Sequence, residues 1–238
     1  MNDLVVVPDT DSLAAEAAQR FASAAATRIS ERGRFVVALS GGSTPGPTYE
    51  RLASEPFASR VDWPRVHVFW GDERCVPPDH PDSNSRMTSE ALLDHVPIPR
   101  ENVHRIRGEL EPHEAATLYR RELAGVLGEG GRIDLVVLGL GTDGHTASLF
   151  PNTMALEERD LGVIAVRVGK LATWRVTLTL PIINAAREVV FLVSGAGKAG
   201  VLARVRAGEA LPAGLVQPQG GKLTWLVDRD AAKGLAHS

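Results

Sequence analysis

Three groups of residues in this 238-residue chain have the types and spacing to do chemistry. The first centres on His145, which follows Asp143 and Gly144 within the segment IDLVVLGLGTDGHTASLFP (residues 133–151). An imidazole titrates near neutral pH and can take a proton from water, and a carboxylate close by can orient it. The second is Ser40-Gly41-Gly42-Ser43-Thr44-Pro45. Glycines let a backbone approach a ligand closely, and hydroxyls beside free N–H groups at a helix start suit anionic oxygens. The third is a set of cations. Arg74 follows Asp72 and Glu73, while Lys170, Arg175 and Lys198 lie further along. A guanidinium fork donates two hydrogen bonds at once to a phosphate or carboxylate. Each feature also has a bland explanation: a structural loop histidine, a capped turn and solvated surface charges.

Several more familiar chemistries fail on these residues. Gly139-x-Gly141-x-x-Gly144 has the letters of a dinucleotide fingerprint and follows a strand-like run. Pro151, however, cuts off the short helical stretch expected after Gly144, and the acids Glu157, Glu158 and Asp160 precede the next apolar run instead of ending it. Nicotinamide binding is therefore rejected. The Ser40 loop lacks the lysine of a Walker loop, so ATP is not implied. It also lacks the first glycine of Gly-x-Ser-x-Gly, which makes Ser40 a poor nucleophile. Cys75 has no obvious base beside it and reads as a spectator thiol.

The elements that must hold these groups alternate along the chain. Apolar strand-like runs cover residues 4–7, 35–39, 66–70, 133–138, 163–168, 175–178, 189–193 and 223–227. Helical patterns cover 12–32, a stretch after Pro45, 85–93, 112–127, 181–186 and 196–206, with Pro45 at the first helical position. Such alternation predicts an α/β protein: a three-layer α/β/α sandwich around a mainly parallel, Rossmann-like sheet. Ligands in such sheets bind beyond the carboxyl ends of the strands, where Ser40, Asp72 and His145 all fall. No linker or repeat divides the chain, so residues 1–238 are expected to form a single domain.

Composition narrows the partners. A net charge of −3 without a basic block gives no reason to expect nucleic acid or an anionic membrane. No apolar run approaches the roughly 18–20 residues of a membrane span. The start MNDLVVVPDTDS lacks the features of a secretory signal. One cysteine forbids an intrachain disulfide, and no Cys/His spacing suits zinc. The expectation is a cytoplasmic protein without metal or cofactor, a monomer or homodimer, acting on a small molecule.

SGGSTP, WGDER, LGLGTDGHTASLFP, RVTLTLPIIN and FLVSGAGKA, in this order, resemble the 6-phosphogluconolactonases over nearly the whole chain from about Ala14. That resemblance implies hydrolysis of 6-phosphoglucono-δ-lactone to 6-phosphogluconate in the oxidative pentose phosphate pathway. It implies His145 as general base on water, with Arg74 and a basic residue near Arg175 on the phosphate. The loop of Ser40, Gly41, Gly42, Ser43 and Thr44 would join them. Asp72 or Asp143 would orient the histidine or a sugar hydroxyl, and N–H groups of the turn 141–144 would face the oxyanion. Lys170, Arg175 and Lys198 stay open as phosphate contacts. Where the family often has a proline-rich stretch, this chain has Lys170-Leu171-Ala172-Thr173-Trp174, so the family role attaches more directly to Arg175.

The related glucosamine-6-phosphate deaminases share the sandwich, and a deaminase/isomerase is the alternative enzyme. They carry a carboxylate five residues after the histidine, where this chain has Phe150. A non-catalytic sugar-phosphate-binding regulator is the alternative outside enzymes. It would show an added DNA-binding helix pair or loss of the histidine, and neither is present.

Overall fold

A strand covered on both faces is apolar throughout, and Phe35–Leu39 shows it: all of its residues are buried. The computed structural model describes residues 2–169 and 173–235. The chain begins with β1 (Asn2–Val7), α1 (Thr10–Arg32), β2 (Phe35–Leu39), α2 (Gly46–Leu52) and α3 (Phe57–Arg60). Next come β3 (Val66–Trp70), β4 (Asp72–Arg74), α4 (Asn84–Ala91), α5 (Pro112–Leu127) and β5 (Leu135–Gly139). The remainder is β6 (Val163–Val168), β7 (Thr173–Leu178), α6 (Leu180–Asn184), β8 (Glu188–Val193), α7 (Ala199–Arg206), β9 (Lys222–Asp228) and α8 (Arg229–Ala232).

Six strands pair in parallel in the order β1-β9-β8-β5-β2-β3. From β2 the chain moves outward to β3; from β5 it moves the other way, through β8 to β9. The boundary between β2 and β5 is thus the point where the winding reverses, and a crevice opens there beyond the strand ends. Helix α1 shows how the layers are locked. Asp9 accepts a hydrogen bond from the Ser12 N–H at 2.8 Å, and Gly33 ends the helix in the left-handed region at φ 75°. Its buried stripe includes Leu13, Ala17 and Phe21, spaced at one turn, and Phe21 meets Phe35 of β2 edge-on at 5.3 Å. The result is the expected α/β sandwich around a mainly parallel sheet.

Two expectations need correction. The runs 163–168 and 175–178 do not join the main sheet, and Asp72-Glu73-Arg74, where no strand-like run is expected, is a strand. Together they form a second, antiparallel sheet in the order β4-β7-β6. Gly71 joins the two sheets: its N–H donates to the Leu39 carbonyl and its own carbonyl accepts from Leu178 N, each at 2.8 Å. The burial of β6 is broken by half-buried and exposed residues, as in a sheet covered on one face only. Buried side chains of both sheets, Val163 and Val176 among them, still belong to one apolar cluster. Among the described residues no helix is long and apolar enough to cross a membrane.

Candidate active site

Loops after β2 and β5 meet Asp72 and Arg74 of β4, Arg175 of β7 and Lys198 in a cleft of about 260 Å³ at the carboxyl ends of the parallel strands. Ser40, Gly41, Gly42, Ser43, Thr44, Asp72, Arg74 and His145 all line it. Lys170 lies outside the described residues.

The His145 loop is a tight turn instead of the expected helix start. Gly141 N donates to the His145 carbonyl at 2.8 Å, Gly144 N donates to the Gly141 carbonyl at 3.0 Å, and Gly144 has φ 84°. A bridge between Thr146 and Leu149 and a left-handed Ala147 (φ 47°) then turn the chain away from helical geometry. One consequence is chemical: the N–H groups of Gly141 and Gly144 are consumed inside the turn, so these two cannot serve an oxyanion. A second concerns His145. The Asp143 Oδ1 atom lies 2.6 Å from His145 Nδ1 and accepts the His145 N–H at 3.2 Å. Toward an ionised Asp143, Nδ1 can only donate, so in the neutral ring the lone pair lies on Nε2. Burial pushes the Asp143 carboxyl up, but the hydrogen bonds from His145 outweigh it and hold the group below its ordinary 3.8. Lys198 is pulled down by burial, against the opposing charge of Asp143.

Asp72 does a different job from Asp143. Its Oδ2 accepts from Ser148 Oγ at 2.5 Å and faces Arg175 Nη1 at 3.7 Å, while its backbone carbonyl accepts from Asn84 Nδ2 at 2.8 Å. It therefore organises the arginine side of the cleft, not the histidine. Arg74 and Arg175 stand directly opposite each other in the β4–β7 ladder. Like charges in that relation repel, and both Nε atoms are buried without a hydrogen-bond partner among the described residues. Burial, and then the neighbouring Arg74, lower the Arg175 guanidinium, with Asp72 resisting. Cys75 follows in sequence; burial and the nearby Glu73 push its thiol up to about 11, which fits a spectator.

The Ser40 loop is pinned from below by Tyr49, buried in the core. Pro45 occupies the N-cap position and not the first helical turn, and α2 is seven residues long. Its dipole is accordingly small, and loop N–H and hydroxyl groups matter more. Gly42 has φ 97°, and a Cβ on Gly41 would lie 1.8 Å from Asn84 Oδ1.

Four residues of this neighbourhood were missed or undervalued in the sequence. Glu73 accepts the N–H groups of Arg74, Asn84 and Ser85, each at 2.8 Å, and so ties the far end of the loop VPPDHPDSN (residues 76–84) to β4. Asn84 fills the space beside Gly41, Ser148 serves Asp72, and Phe150 stacks on His145. A serine followed by Asn84 at a helix start was a legible cap signal; the partners of Glu73 were not. The glycine turn after β8, Ser194-Gly195-Ala196-Gly197-Lys198, is by contrast already filled. Asp228 accepts from Ser194 Oγ at 2.5 Å and from the Gly195 N–H at 3.0 Å, leaving only Lys198 from that turn facing the cleft.

Fold and cleft together define an α/β sandwich protein with an Asp–His pair and a cationic wall at the reversal point of its sheet. The family model of glucosamine-6-phosphate isomerases/6-phosphogluconolactonase matches residues 8–225. The chain belongs to that family. It is 44% identical over 241 residues to a 6-phosphogluconolactonase of Nostoc sp., with 97% of each chain covered. It is 48% identical over 217 residues to a 6-phosphogluconolactonase of Synechocystis sp., with 87% of each covered. Its structure superposes on the 6-phosphogluconolactonase of Trypanosoma brucei with TM-score 0.88 and 31% identity, covering 99% of each chain.

Proposed function

We propose that this chain hydrolyses 6-phospho-D-glucono-1,5-lactone to 6-phospho-D-gluconate, as a step of the oxidative pentose phosphate pathway. The observation that carries the reading is the 2.6 Å Asp143–His145 bond, which frees Nε2 in a cleft walled by two arginines. A δ-lactone is an activated ester and needs no covalent nucleophile. His145 Nε2 takes a proton from water as the water oxygen bonds to the lactone carbonyl carbon. The tetrahedral centre then collapses, the ring C–O bond breaks, and the proton on Nε2 passes to the departing ring oxygen. The new carboxylic acid loses its proton to solvent. Asp143 keeps the ring in the required tautomer throughout.

Arg74 and Arg175 take the phosphate, whose charge relieves their mutual repulsion across the ladder. The Ser40–Thr44 loop adds N–H and hydroxyl donors, and Lys198 supplies positive charge opposite Asp143. All these groups come from one copy of the chain, which acts as a single domain, as a monomer or homodimer. A phosphorylated sugar stays in the compartment where it is made, which supports the cytoplasm as the place of the reaction. Phe150 stands against the deaminase reading, because a phenyl ring cannot supply the acid–base group that amine elimination needs.

The test mixes freshly generated 6-phosphogluconolactone with the protein and with His145→Ala, following acid release above the spontaneous rate. Wild-type acceleration falling by about 10²–10⁴-fold in the variant is expected, leaving the rate that positioning supplies. A wild type that releases ammonia from glucosamine 6-phosphate and leaves the lactone untouched would overturn the reading.

A further inference from the structure

The His145 ring is held from three directions, and only one of them is a hydrogen bond. Asp143 fixes Nδ1 at 2.6 Å. The Gly141 backbone lies so near that a Cβ there would come within 2.0 Å of Nδ1 and 2.2 Å of Cε1. The third contact is Phe150, whose ring stacks on the imidazole with centroids 4.2 Å apart and 26° between the planes. A single hydrogen bond leaves a ring free to tip about the N···O line, and a stacked face removes that freedom. The same phenyl ring lies 5.8 Å from the Arg175 guanidinium carbon. Arg175 needs such support, since Asp72 stands at 3.7 Å, beyond hydrogen-bond range, and the arginine Nε has no partner among the described residues. Phe150 is half-buried, so it is not a core residue whose role ends with packing.

We propose that Phe150 is a positioning residue that sets the separation between His145 Nε2 and the Arg175 guanidinium. It thereby matches the enzyme to lactones whose carbonyl and phosphate stand a fixed distance apart. The inference rests on the functional reading above. A substrate held at one end by arginine presents its carbonyl wherever the sugar frame puts it. The base must meet it there, and a misplacement of about 1 Å can cost about 10²-fold in rate.

The experiment compares Phe150→Leu, Phe150→Met and Phe150→Tyr with the wild type, on 6-phosphogluconolactone and on unphosphorylated D-glucono-1,5-lactone. For Leu and Met the expected result is a kcat loss of about 10- to 10²-fold on the phosphorylated lactone with KM little changed. A clearly smaller loss is expected on the unphosphorylated one, and the tyrosine variant should stay within about threefold of wild type, because its ring face is intact. Equal losses on both lactones, or kcat retained in Leu and Met, would overturn the proposal. So would failure of both variants to fold, which would make Phe150 a packing residue. Imidazole ¹⁵N spectra of His145 score the ring separately from turnover. The Nδ1–H tautomer that Asp143 holds is expected in both proteins, with the ring C–H cross-peaks of His145 sharp in wild type and broadened by ring motion in Leu; an unbroadened Leu spectrum counts against the proposal. An inactive wild type with the expected spectra would discard the lactone reading and leave the positioning role of Phe150 standing.

Discussion

Tyr49 and Ser40 exchange two hydrogen bonds through one phenol: Tyr49 Oη accepts the Ser40 N–H at 3.1 Å and donates to the Ser40 carbonyl at 2.8 Å. Tyr119 repeats the device one strand over, accepting the Trp70 N–H at 2.6 Å and donating to the Trp70 carbonyl at 2.8 Å. Two adjacent strands are thus tied off just where their loops leave for the cleft. Tyr49→Phe keeps the ring but strands a buried N–H and a buried carbonyl. It should lower stability by about 1–3 kcal/mol in urea unfolding, with an unchanged m-value.

Gly141 is a close-approach position and not a left-handed one, so its backbone tolerates a side chain while the imidazole does not. In Gly141→Ala the ring must move to clear the new methyl group. The expected outcome is a kcat loss of about 10²-fold or more with the protein still folded, checked by steady-state kinetics beside a thermal melt. Full activity in this variant would mean that His145 is not the base.

The facing pair Arg74 and Arg175 links ligand binding to stability. Inorganic phosphate should raise the melting temperature of the wild type, corresponding to about 2.7 kcal/mol at a hundred times its Kd. Arg175→Met should abolish most of that response and raise KM for the phosphorylated lactone, with hydrolysis of the unphosphorylated lactone changed little. Isothermal titration with phosphate gives the same comparison without turnover.

Asp143→Asn keeps the shape of its side chain but can donate to Nδ1, favouring the wrong tautomer. A kcat loss of about 10²–10⁴-fold is expected. The pH dependence has a definite sign. The folded Asp143 carboxyl lies below 3.8, so the folded state binds fewer protons there than the unfolded chain. Its contribution to stability is therefore present above that pH and lost as pH falls through the lower folded value. Urea midpoints of wild type and Asp143→Asn should differ by a constant amount at neutral pH and converge in acid.

The parallel strands were legible because two-sided burial writes itself as an apolar run, as in Phe35–Leu39. His145, the Ser40 loop and Arg74 were legible because glycines and charges directly after such runs mark the strand ends. Strand β4 was not, since three charged residues carry no strand signal and their partner, β7, lies about a hundred residues away. The division of labour between Asp72 and Asp143 was equally hidden: both are acids at strand ends, and only the fold brings Ser148 and Arg175 to one and the imidazole to the other. The expected helix after Gly144 failed because hydrogen bonds of the turn and the left-handed Ala147 outweigh local helix propensity.

Asp228 gives the two glycine turns opposite fates. In the turn after β8 a carboxylate of the chain itself sits on the Gly195 N–H and the Ser194 hydroxyl, and it also caps α8 through the Ala231 N–H at 2.7 Å. That cradle is plugged by a resident anion, covalently tethered and always present. Among the described residues the turn after β2 has no such tenant: Ser40 Oγ has no hydrogen-bond partner there. Two nearly interchangeable anion receptors on one sheet edge would invite a phosphorylated sugar to dock in the wrong register. By closing one of them from within, the chain leaves its ligand a single address.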